Sequence, residues 1–415
     1  MQECGAPGKV RAGLGFAGAG LGGLQSRRCP GRVARGCKAG GCPRGLQRGA
    51  VPPFDAGCPR GLQRGAVPPF DAITLAAVPT VVIDARDAFG PRLRGWGRYA
   101  RELVEAMQAA PRAGVDLHVV ESGGPGPELL FEQVALPLLA RREGAGVVHA
   151  PNCFLPLRRS CPGVVSILDL AFEAHPSDFA PRTRWKYRTI APRAARSAQR
   201  VICISEATRD DLCERYRVDA SRTRVIGLAP ALPAGSEDPP EGPYLLAVGD
   251  LRAKKNLGRL VEAFALLHAE GLPHRLVLAG QDSGEGERLR AAAGDAPVDL
   301  IGYVSDSRLD ALLRGADLLV HPSLYEGFGL VLLEAMARGC PVAAARATAL
   351  PETGGDAAVY FDPLDPGEMA GAIRRVLEDG ALAADLSERG RARAAQFSWA
   401  RTAARTLDVY EELLG

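Results

Sequence analysis

From Thr80 to the carboxyl terminus, short apolar runs rich in β-branched residues alternate with longer amphipathic stretches. In the first part, strands are predicted at Val81–Asp84, Val115–Val120, Val147–Ala150, Val164–Leu168, Val201–Ile204 and Arg224–Ile226, and helices at Gly97–Ala110, Pro127–Arg142, Arg182–Ala198 and Glu206–Tyr216. In the second, strands are predicted at Tyr244–Val248, Arg275–Ala279, Asp299–Ile301, Leu318–Val320, Pro341–Ala344 and Val359–Phe361, and helices at Asn256–Ala269, Gly286–Ala293, Asp306–Arg314, Gly329–Arg338, Pro366–Glu378, Ala381–Gln396 and from Trp399 onward. The alternation predicts an α/β fold with parallel sheets covered by helices on both faces.

One segment, Leu228–Pro243, breaks this alternation, because proline, glycine and acidic residues crowd it and no hydrophobic period survives. We therefore predict a first doubly wound, Rossmann-like domain at 79–230, a linker at 231–243 and a second such domain at 244–415, whose final helix packs back toward the first domain. Two domains of this kind face each other across a cleft at the carboxyl ends of their strands, where ligands bind.

Residues 1–78 differ from the rest of the chain in composition. They contain 11 Lys and Arg against 3 Asp and Glu, and Cys42–Ala56 is repeated letter for letter at Cys58–Ala72. A short repeat rich in Gly, Pro and Arg cannot bury a core, which predicts a disordered tail. A flexible arm for an anionic partner is one interpretation; we favour a recent duplication or a start codon placed too far upstream.

The remaining residues exclude several classes of protein. They contain 40 basic and 45 acidic residues, so no basic surface for nucleic acid is expected. Their cysteines are scattered singly among apolar runs, which indicates buried thiols in a reducing compartment. Because the sequence contains no run of about 18 apolar residues, no membrane-spanning helix is expected. We expect a cytoplasmic protein, or one that is peripheral at the inner membrane face.

The first domain contains a glycine motif, Gly95–Ala100, that fits the loose dinucleotide pattern G-x-G-x-x-[GA]. About nine residues separate it from the first strand, whereas that pattern needs a tight turn directly after the strand. A different interpretation fits better: Gly95 and Gly97 let the backbone approach a ligand at a helix amino terminus, with Arg94 and Arg98 beside them.

The second domain contains the most informative segment, Glu326–Glu334, between a predicted strand and helix. Gly327 and Gly329 would expose backbone amides at the helix amino terminus, and eight residues of helix span about 12 Å, roughly the length of a sugar plus a diphosphate. The two carboxylates can accept hydrogen bonds from sugar and ribose hydroxyls. Glu334 lies in the apolar run LVLLEAMA, where a carboxylate is costly unless it has a partner.

A diphosphate also requires cations, and Lys254 and Lys255 follow the first strand of the second domain, beside the same cleft. Paired cations there can stabilise the charge that grows on a departing nucleoside diphosphate. The sequence contains no Asp-x-Asp pair of carboxylates that could hold a divalent ion beside a diphosphate. We therefore expect neither a bound metal nor a cofactor other than the nucleotide-sugar co-substrate.

With these features, the chain resembles glycosyltransferase family four (glycosyl transferases group 1), the retaining enzymes of GT-B architecture, and it is similar to the mannosyltransferases among them. The resemblance covers about Val81 to Leu414. It rests on the ordered motifs GWGRYAREL, VVHAPN, ILDLAFEAHP, RVICISEATRDDL, VGDLRAKKNL, LIGYVSDSRL, VHPSLYEGFGLVLLEAMARGCPV and LPETGGDAAVYFDP.

The resemblance implies a role for each matching residue of the second domain. Lys254 and Lys255 would take the place of the family's phosphate-binding pair. Glu334 would bind the ribose, and the backbone near Val304 would contact the base. The donor sugar and diphosphate would be held by Glu326 and by the amides of Gly327, Phe328, Gly329 and Leu330.

For the first domain, the resemblance implies that Arg94, Gly95 and Gly97 border the acceptor. The family often carries His-Asp where this chain has Leu168–Asp169, so Asp169 is the catalytic candidate that remains. Front-face attack assisted by the departing phosphate would preserve the anomeric configuration without a protein nucleophile.

The resulting functional prediction is transfer of a hexose, such as mannose, from a nucleoside-diphosphate sugar to a polysaccharide or glycolipid acceptor. Two alternatives stay open: a catalytically weakened nucleotide-sugar-binding protein, suggested by Leu168, and an NAD-dependent oxidoreductase, suggested by Gly95–Ala100. The segment Arg182–Arg200 carries seven basic residues and no acid, with Trp185 and Tyr187 among them. It fits a peripheral contact with an anionic membrane that holds a lipid-linked acceptor, and equally a solvated helix face.

Overall fold

The computed structural model describes residues 78–90, 95–123 and 126–415. These residues form two six-stranded sheets in which every strand pair is parallel. The predicted α/β architecture is confirmed. The expected tail lies outside the described residues.

The first sheet has the order β2-β1-β3-β4-β5-β6. Its strands are β1 (Thr80–Asp84), β2 (Asp116–Val120), β3 (Val147–Ala150), β4 (Gly163–Ile167), β5 (Arg200–Cys203) and β6 (Thr223–Val225). Its helices are α1 (Gly95–Ala109), α2 (Glu128–Leu130), α3 (Leu136–Arg142), α4 (Ala171–Ala174), α5 (Pro181–Ser197) and α6 (Glu206–Tyr216). Val81 and Ile83 belong to one buried cluster and Val82 to another, which is why the run is apolar throughout rather than alternating.

The second sheet has the order β12-β11-β10-β7-β8-β9. Its strands are β7 (Tyr244–Val248), β8 (Arg275–Ala279), β9 (Val298–Gly302), β10 (Leu318–His321), β11 (Val342–Ala345) and β12 (Val359–Phe361). The helices that follow are α7 (Leu257–Ala269), α8 (Gly286–Ala293), α9 (Asp306–Gly315), α10 (Leu330–Ala337), α11 (Leu350–Gly354), α12 (Pro366–Glu378), α13 (Gly380–Ala394) and α14 (Trp399–Leu414).

Each sheet has one topological switch point, where the strand order reverses. In the first sheet it lies between β1 and β3, and in the second between β7 and β10. Ligands in open α/β sheets bind outside the carboxyl ends of the strands at such a point. The strand order therefore identifies the loops after β1, β3, β7 and β10 as the places to look for a site.

The predicted helix at 127–142 differs from expectation in its middle. Residues Phe131–Ala135 form a π-helical turn between α2 and α3, and the Leu136 amide donates to the Phe131 carbonyl, five residues earlier. Pro137 has no N–H with which to continue the ordinary hydrogen-bond ladder, which favours the wider turn. Such turns occur frequently at functional sites.

The last helix, α14, packs against the first domain rather than the second. Its Tyr410 hydroxyl lies 2.6 Å from His149 Nδ1 on β3, and His149 Nε2 lies 2.9 Å from the Ser166 hydroxyl on β4. All three side chains are fully buried. Burial lowers the pKa of His149 to about 3, so the imidazole is neutral and each ring nitrogen requires a hydrogen-bond partner.

Replacing Tyr410 with Phe is expected to lower the free energy of unfolding by about 1–2 kcal/mol, because it removes the partner of a buried ring nitrogen without leaving a large void. Urea unfolding followed by far-ultraviolet circular dichroism measures the change. Tyr303→Phe is the matched control, since Tyr303 is 76% exposed. Equal unfolding midpoints for the two variants would show that the hydroxyl contributes nothing.

Candidate active site

An ion pair occupies the switch point of the second sheet. Lys255, in the turn after β7, places its Nζ 2.5 Å from Oε1 of Glu326, in the loop after β10. The same carboxylate oxygen lies 3.1 Å from Nε2 of the buried His321. Burial alone would raise the pKa of Glu326, but the Lys255 ammonium and the His321 hydrogen bond hold it well below its usual value. Glu326 is therefore an ionised, positioned hydrogen-bond acceptor.

The turn after β7 is shaped to return Lys255 over the strand end. Gly249 has a φ of 144°, and a Cβ on it would lie 2.9 Å from Cε of Lys255. Asn256 has a φ of 57°, and its buried amide donates to the Pro322 and Pro363 carbonyls at 3.1 and 2.7 Å. These bonds fix the β7 turn against the β10 loop. Lys254 lies at the boundary with the first domain, where its backbone N–H donates to Asp178 Oδ2 at 3.2 Å.

The amino terminus of α10 lies directly after this ion pair. Gly329 precedes the helix with a φ of 90°, a left-handed conformation that favours glycine. On the preceding loop, the Gly327 carbonyl accepts hydrogen bonds from the Ser205 and Thr208 hydroxyls at 2.7 and 3.1 Å. Those bonds turn the carbonyl toward the first domain. Backbone N–H groups and the helix dipole make such a terminus favourable for a phosphate.

The same loop docks against the carboxyl end of β4. A Cβ on Gly327 would lie 1.9 Å from the Leu168 carbonyl oxygen and 2.8 Å from Cβ of Asp169, so only glycine fits. Next to it, the Tyr325 hydroxyl donates to Asp211 Oδ2 at 2.7 Å and accepts from the Leu170 N–H at 3.1 Å. The catalytic candidate Asp169 thus lies beside the loop that carries Glu326.

A second carboxylate, Glu334, is buried in α10 and faces an arginine of the first domain. Arg98 Nη1 lies 3.6 Å from Glu334 Oε1, and Arg98 Nη2 binds Asp306 of α9 at 2.8 Å. Among the described residues, Glu334 Oε1 has no hydrogen-bond partner. Burial raises the pKa of Glu334 to about 7, against the opposing effect of Arg98 and Arg338. A ligand hydroxyl would satisfy this oxygen.

The structure brings most of the predicted site residues to one interdomain region. Lys255 and Glu326 form an ion pair, and the adjacent Gly327 packs against Asp169. Val304 lies just before α9, and the first residue of that helix, Asp306, binds Arg98. Phe328, Gly329 and Leu330 continue from that loop into α10. Gly95 and Gly97 begin α1. Arg94 lies outside the described residues.

The basic segment Arg182–Arg200 lies mainly on α5, where several of its cations are already paired. Lys186 binds Glu128 and Glu132 at 3.0 and 2.9 Å, and Arg188 lies 2.9 Å from Glu173. Arg200 binds Glu412 of α14 at 2.9 Å. Within the described ranges, no helix is long and apolar enough to cross a bilayer. Contact between this segment and a membrane stays a prediction.

Sequence reasoning gave no role to Asp306, His321 and Thr348, which the structure places in the site, and it named Arg98 only as a neighbour of the glycine motif. Arg98 and Asp306 pair across 208 positions, and His321 binds Glu326. Thr348, with a φ of 46°, exchanges hydrogen bonds with the Glu326 backbone at 2.9 and 3.0 Å. Only His321 had a local signal, since it lies five residues before Glu326 at the end of a buried strand.

Two sequence families match the chain. The pattern described as Glycosyl transferases group 1 matches residues 230–393, and the one described as Glycosyltransferase Family 4 matches residues 128–228. O-antigen chain mannosyltransferase B of Escherichia coli is 30% identical over 292 residues, which are 64% of this chain and 74% of that protein. The chain belongs to the glycosyl transferases group 1 family.

Another relative of this group 1 glycosyltransferase is the MMP alpha-(1->4)-mannosyltransferase of Mycolicibacterium hassiacum, 29% identical over 71% of this chain and 77% of that one. The resemblance to family four is thus confirmed. The chain is a glycosyltransferase, which removes the oxidoreductase alternative. In agreement, the 3₁₀ helix Arg86–Phe89 separates Gly95 from β1, unlike the tight turn of a dinucleotide fold.

Solved structures confirm the GT-B arrangement of this glycosyltransferase. Sucrose-phosphate synthase from Thermosynechococcus elongatus superposes with a TM-score of 0.64 at 23% identity, covering 81% of this chain and 99% of that one. Anabaena HepE in complex with UDP and glucose superposes with a TM-score of 0.61 at 19% identity, covering 80% and 100%. At these identities the similarity establishes the fold alone.

Replacing Gly327 with Ala is expected to hold the two domains apart, because the new Cβ meets the Leu168 backbone, which cannot rotate away. Small-angle scattering should report a larger radius of gyration, and turnover should fall. Gly258→Ala in α7 is the matched control, since nothing lies within 4 Å of its added Cβ. Unchanged scattering and unchanged turnover in Gly327→Ala would contradict the tight docking of this loop.

Replacing Glu334 with Gln is expected to change how stability depends on pH. Because the folded pKa of Glu334 is raised to about 7, its contribution to stability is present below its unfolded pKa and is lost as pH rises through about 7. As pH rises from about 5 to about 8, the free energy of unfolding of the Gln variant should therefore increase by on the order of 2 kcal/mol relative to that of the parent. Urea titrations of the parent, of Glu334→Gln and of the exposed control Glu105→Gln at each pH measure the difference. The same dependence of unfolding free energy on pH in the parent and in Glu334→Gln would refute the raised pKa.

Proposed function

We propose that this glycosyltransferase transfers a hexose, with mannose as the leading candidate, from a nucleoside-diphosphate sugar to a glycan acceptor, and retains the anomeric configuration. The observation that carries the proposal is the Lys255–Glu326 pair at the switch point of the second sheet, directly before the amino terminus of α10. The cation and the row of amides suit a diphosphate, and the ionised carboxylate suits the hydroxyls of a sugar. The mannosyltransferase relatives support the choice of sugar.

In the proposed reaction, the bond between the anomeric carbon and the diphosphate oxygen breaks, and its electron pair leaves with the diphosphate. Lys254, Lys255 and the amides of Gly327 to Leu330 would stabilise that developing charge. The acceptor hydroxyl forms the new bond on the same face, and its proton passes to the departing phosphate oxygen. Glu326 would hold hydroxyls of the donor sugar, and Glu334 would bind the ribose in place of its contact with Arg98.

The loops of the first domain are expected to hold the acceptor. Gly95 and Gly97 open α1 on the side of the cleft opposite α10, and Asp169 lies against Gly327. We propose no cofactor beyond the donor, because paired lysines and backbone amides can stabilise the leaving group without a metal. A lipid-linked acceptor and a peripheral membrane contact through Arg182–Arg200 belong to the same proposal.

A hydrolysis and transfer assay across UDP-, GDP- and ADP-linked hexoses tests the function. We expect turnover of one donor, maintained in EDTA, with an α-linked product from an α-linked donor by proton nuclear magnetic resonance. Tight binding without turnover would support the catalytically weakened alternative. Inversion at the anomeric carbon would overturn the proposed retention of configuration. Loss of turnover in EDTA would overturn the proposal that no metal stabilises the leaving group.

Within that assay, Lys255→Ala is expected to lower kcat by about 10²–10³-fold, because it removes a cation positioned at the leaving group. Arg288→Ala is the matched control, since Arg288 is an 82% exposed cation on α8 of the same domain. Unfolding midpoints of both variants separate a loss of turnover from a loss of folding. A kcat within about twofold of the parent in Lys255→Ala would reject this role for the lysine.

A further inference from the structure

The first turn of α1 contains a cation, Arg98, at the end of the helix where a cation is unfavourable. This turn holds no acidic side chain. Because the amino terminus of a helix carries a partial positive charge, an arginine there destabilises the helix unless negative groups from elsewhere offset it. Arg98 is nevertheless only 20% exposed, and it reaches across the cleft to the second domain. A residue that breaks a local rule of helix stability at a cleft is a candidate for function.

The position of Arg98 is fixed by the residue beside it. The side chain of Tyr99 is buried, and its hydroxyl lies 2.9 Å from the Ser166 hydroxyl on β4. The Tyr99 ring also packs near Trp399 of α14, with ring centroids 6.3 Å apart. Since Tyr99 is held by both β4 and α14, the first turn of α1 is a rigid support for the neighbouring arginine.

The guanidinium of Arg98 is shared between two carboxylates of the second domain. Its Nη2 donates to both oxygens of Asp306, at 2.8 and 3.0 Å, and Asp306 is the first residue of α9. Its Nη1 lies 3.6 Å from Oε1 of Glu334 on α10. Hydrogen bonds between nitrogen and oxygen span about 2.7–3.2 Å. Arg98 and Asp306 therefore form a hydrogen-bonded ion pair, whereas a gap separates Arg98 from Glu334.

The carboxylate on the far side of this gap lacks a hydrogen-bond donor. Glu334 is 3% exposed, and within the described part of the chain its Oε1 has no hydrogen-bond partner. A second arginine nearby, Arg338, is already engaged, because its Nε binds Asp310 at 2.7 Å and its Nη1 donates to the Glu334 backbone carbonyl at 3.0 Å. A buried acceptor without a donor is costly, which points to a donor supplied by a ligand.

A hydroxyl group suits the gap between Nη1 of Arg98 and Oε1 of Glu334. Because a hydroxyl donates one hydrogen bond and accepts others, it can donate to the carboxylate and accept from the guanidinium at the same time. An oxygen about 2.8 Å from each of the two atoms closes a triangle whose third side is the observed 3.6 Å. A phosphate oxygen only accepts hydrogen bonds, so it would leave the carboxylate without a donor.

We infer that Arg98 and Glu334 bind one hydroxyl of the donor ribose between them, which makes Arg98 a specificity-determining residue for ribonucleotide over deoxyribonucleotide donors. The inference rests on the proposed transfer reaction and deepens it by adding a residue of the first domain to the donor site. The bound hydroxyl replaces the direct contact between the two side chains. Since the pair with Asp306 involves Nη2 alone, it persists while Nη1 binds the hydroxyl.

Calorimetric titrations of the full chain with nucleoside diphosphates test the inference without any need for turnover. The probes are UDP, GDP and ADP, each with its 2′-deoxy and 3′-deoxy counterparts. Because burial raises the pKa of Glu334 to about 7, titration at about pH 8 keeps most of this carboxyl ionised. We expect at least one ribonucleotide to bind about tenfold more tightly than one of its deoxy counterparts, because the missing hydroxyl removes hydrogen bonds to two charged groups.

Variants of Arg98 separate this role from a structural one. Arg98→Ala should weaken ribonucleotide binding about tenfold and change the affinity for the deoxy form by less than about twofold. Arg98→Lys keeps a cation opposite Asp306 but lacks the planar fork that serves two partners, so it should also lose the preference; this variant keeps the test valid should Arg98→Ala fold poorly. Arg101→Ala, on the same helix with a side chain that is 50% exposed, is the matched control and should keep the preference of the parent.

The outcomes separate this inference from the proposed function. Three results would each overturn the inference and leave hexose transfer standing: equal affinity of the parent for the ribose and both deoxy forms, equal weakening of all forms in Arg98→Ala, or tighter ribonucleotide binding in Arg98→Ala. Failure of every nucleotide to bind would overturn both. A ribose preference that depends on Arg98, without transfer from any sugar-linked donor, would count against the proposed function and leave the ribose assignment standing.

Discussion

The close approach of Gly327 to the carboxyl end of β4 is the contact on which the arrangement of the site depends. Because Gly327 has a hydrogen atom in place of a side chain, the loop before α10 can lie against the Leu168 carbonyl. The hydroxyls of Ser205 and Thr208 then bind the Gly327 carbonyl. The Tyr325 hydroxyl binds Asp211 and the Leu170 backbone. This docking brings the amino terminus of α10 to Asp169. A larger residue would separate the two switch points, and neither domain alone holds both halves of the site.

The two glutamates of the Glu326–Glu334 segment occupy opposite electrostatic environments on one short stretch of chain. Glu326 is buried beside Lys255 and His321, and its pKa is held well below the usual value. Glu334 is buried beside an arginine that is already bound to Asp306, and its pKa is raised to about 7. Different environments for two similar carboxyls indicate different tasks. A permanently ionised Glu326 suits a fixed hydrogen-bond acceptor for hydroxyls, whereas Glu334 is poised to exchange its contact with Arg98 for one with a ligand.

The sequence was sufficient for the architecture, because hydrophobic periodicity and turn residues are local signals. Strands such as Tyr244–Val248 and Arg275–Ala279 were predicted to the residue. The donor-side candidates were also accessible, since Lys255 and Glu326 each follow an apolar strand and strand ends meet at one edge of a sheet. What pattern reasoning could not supply were contacts between distant positions. Arg98 pairs with Asp306 across 208 residues, and nothing in the local sequence of either predicts that pairing.

The first domain contains a cavity of about 690 Å³ at the switch point of its sheet, and this cavity also depends on contacts between distant positions. Its residues come from five separate segments, and three of them, Trp185, Lys186 and Tyr187, looked from the sequence like part of a basic face for a membrane. The structure turns Lys186 inward, where it binds two glutamates, so this cation is not available to an anionic membrane. The π-helical turn that places Glu132 beside Lys186 arises where Pro137 interrupts the hydrogen-bond ladder, a consequence of backbone chemistry that a hydrophobic pattern does not record. Gly97, which lines the cavity, and Arg98, which faces Glu334, are consecutive, so the start of α1 borders both the cavity and the second domain.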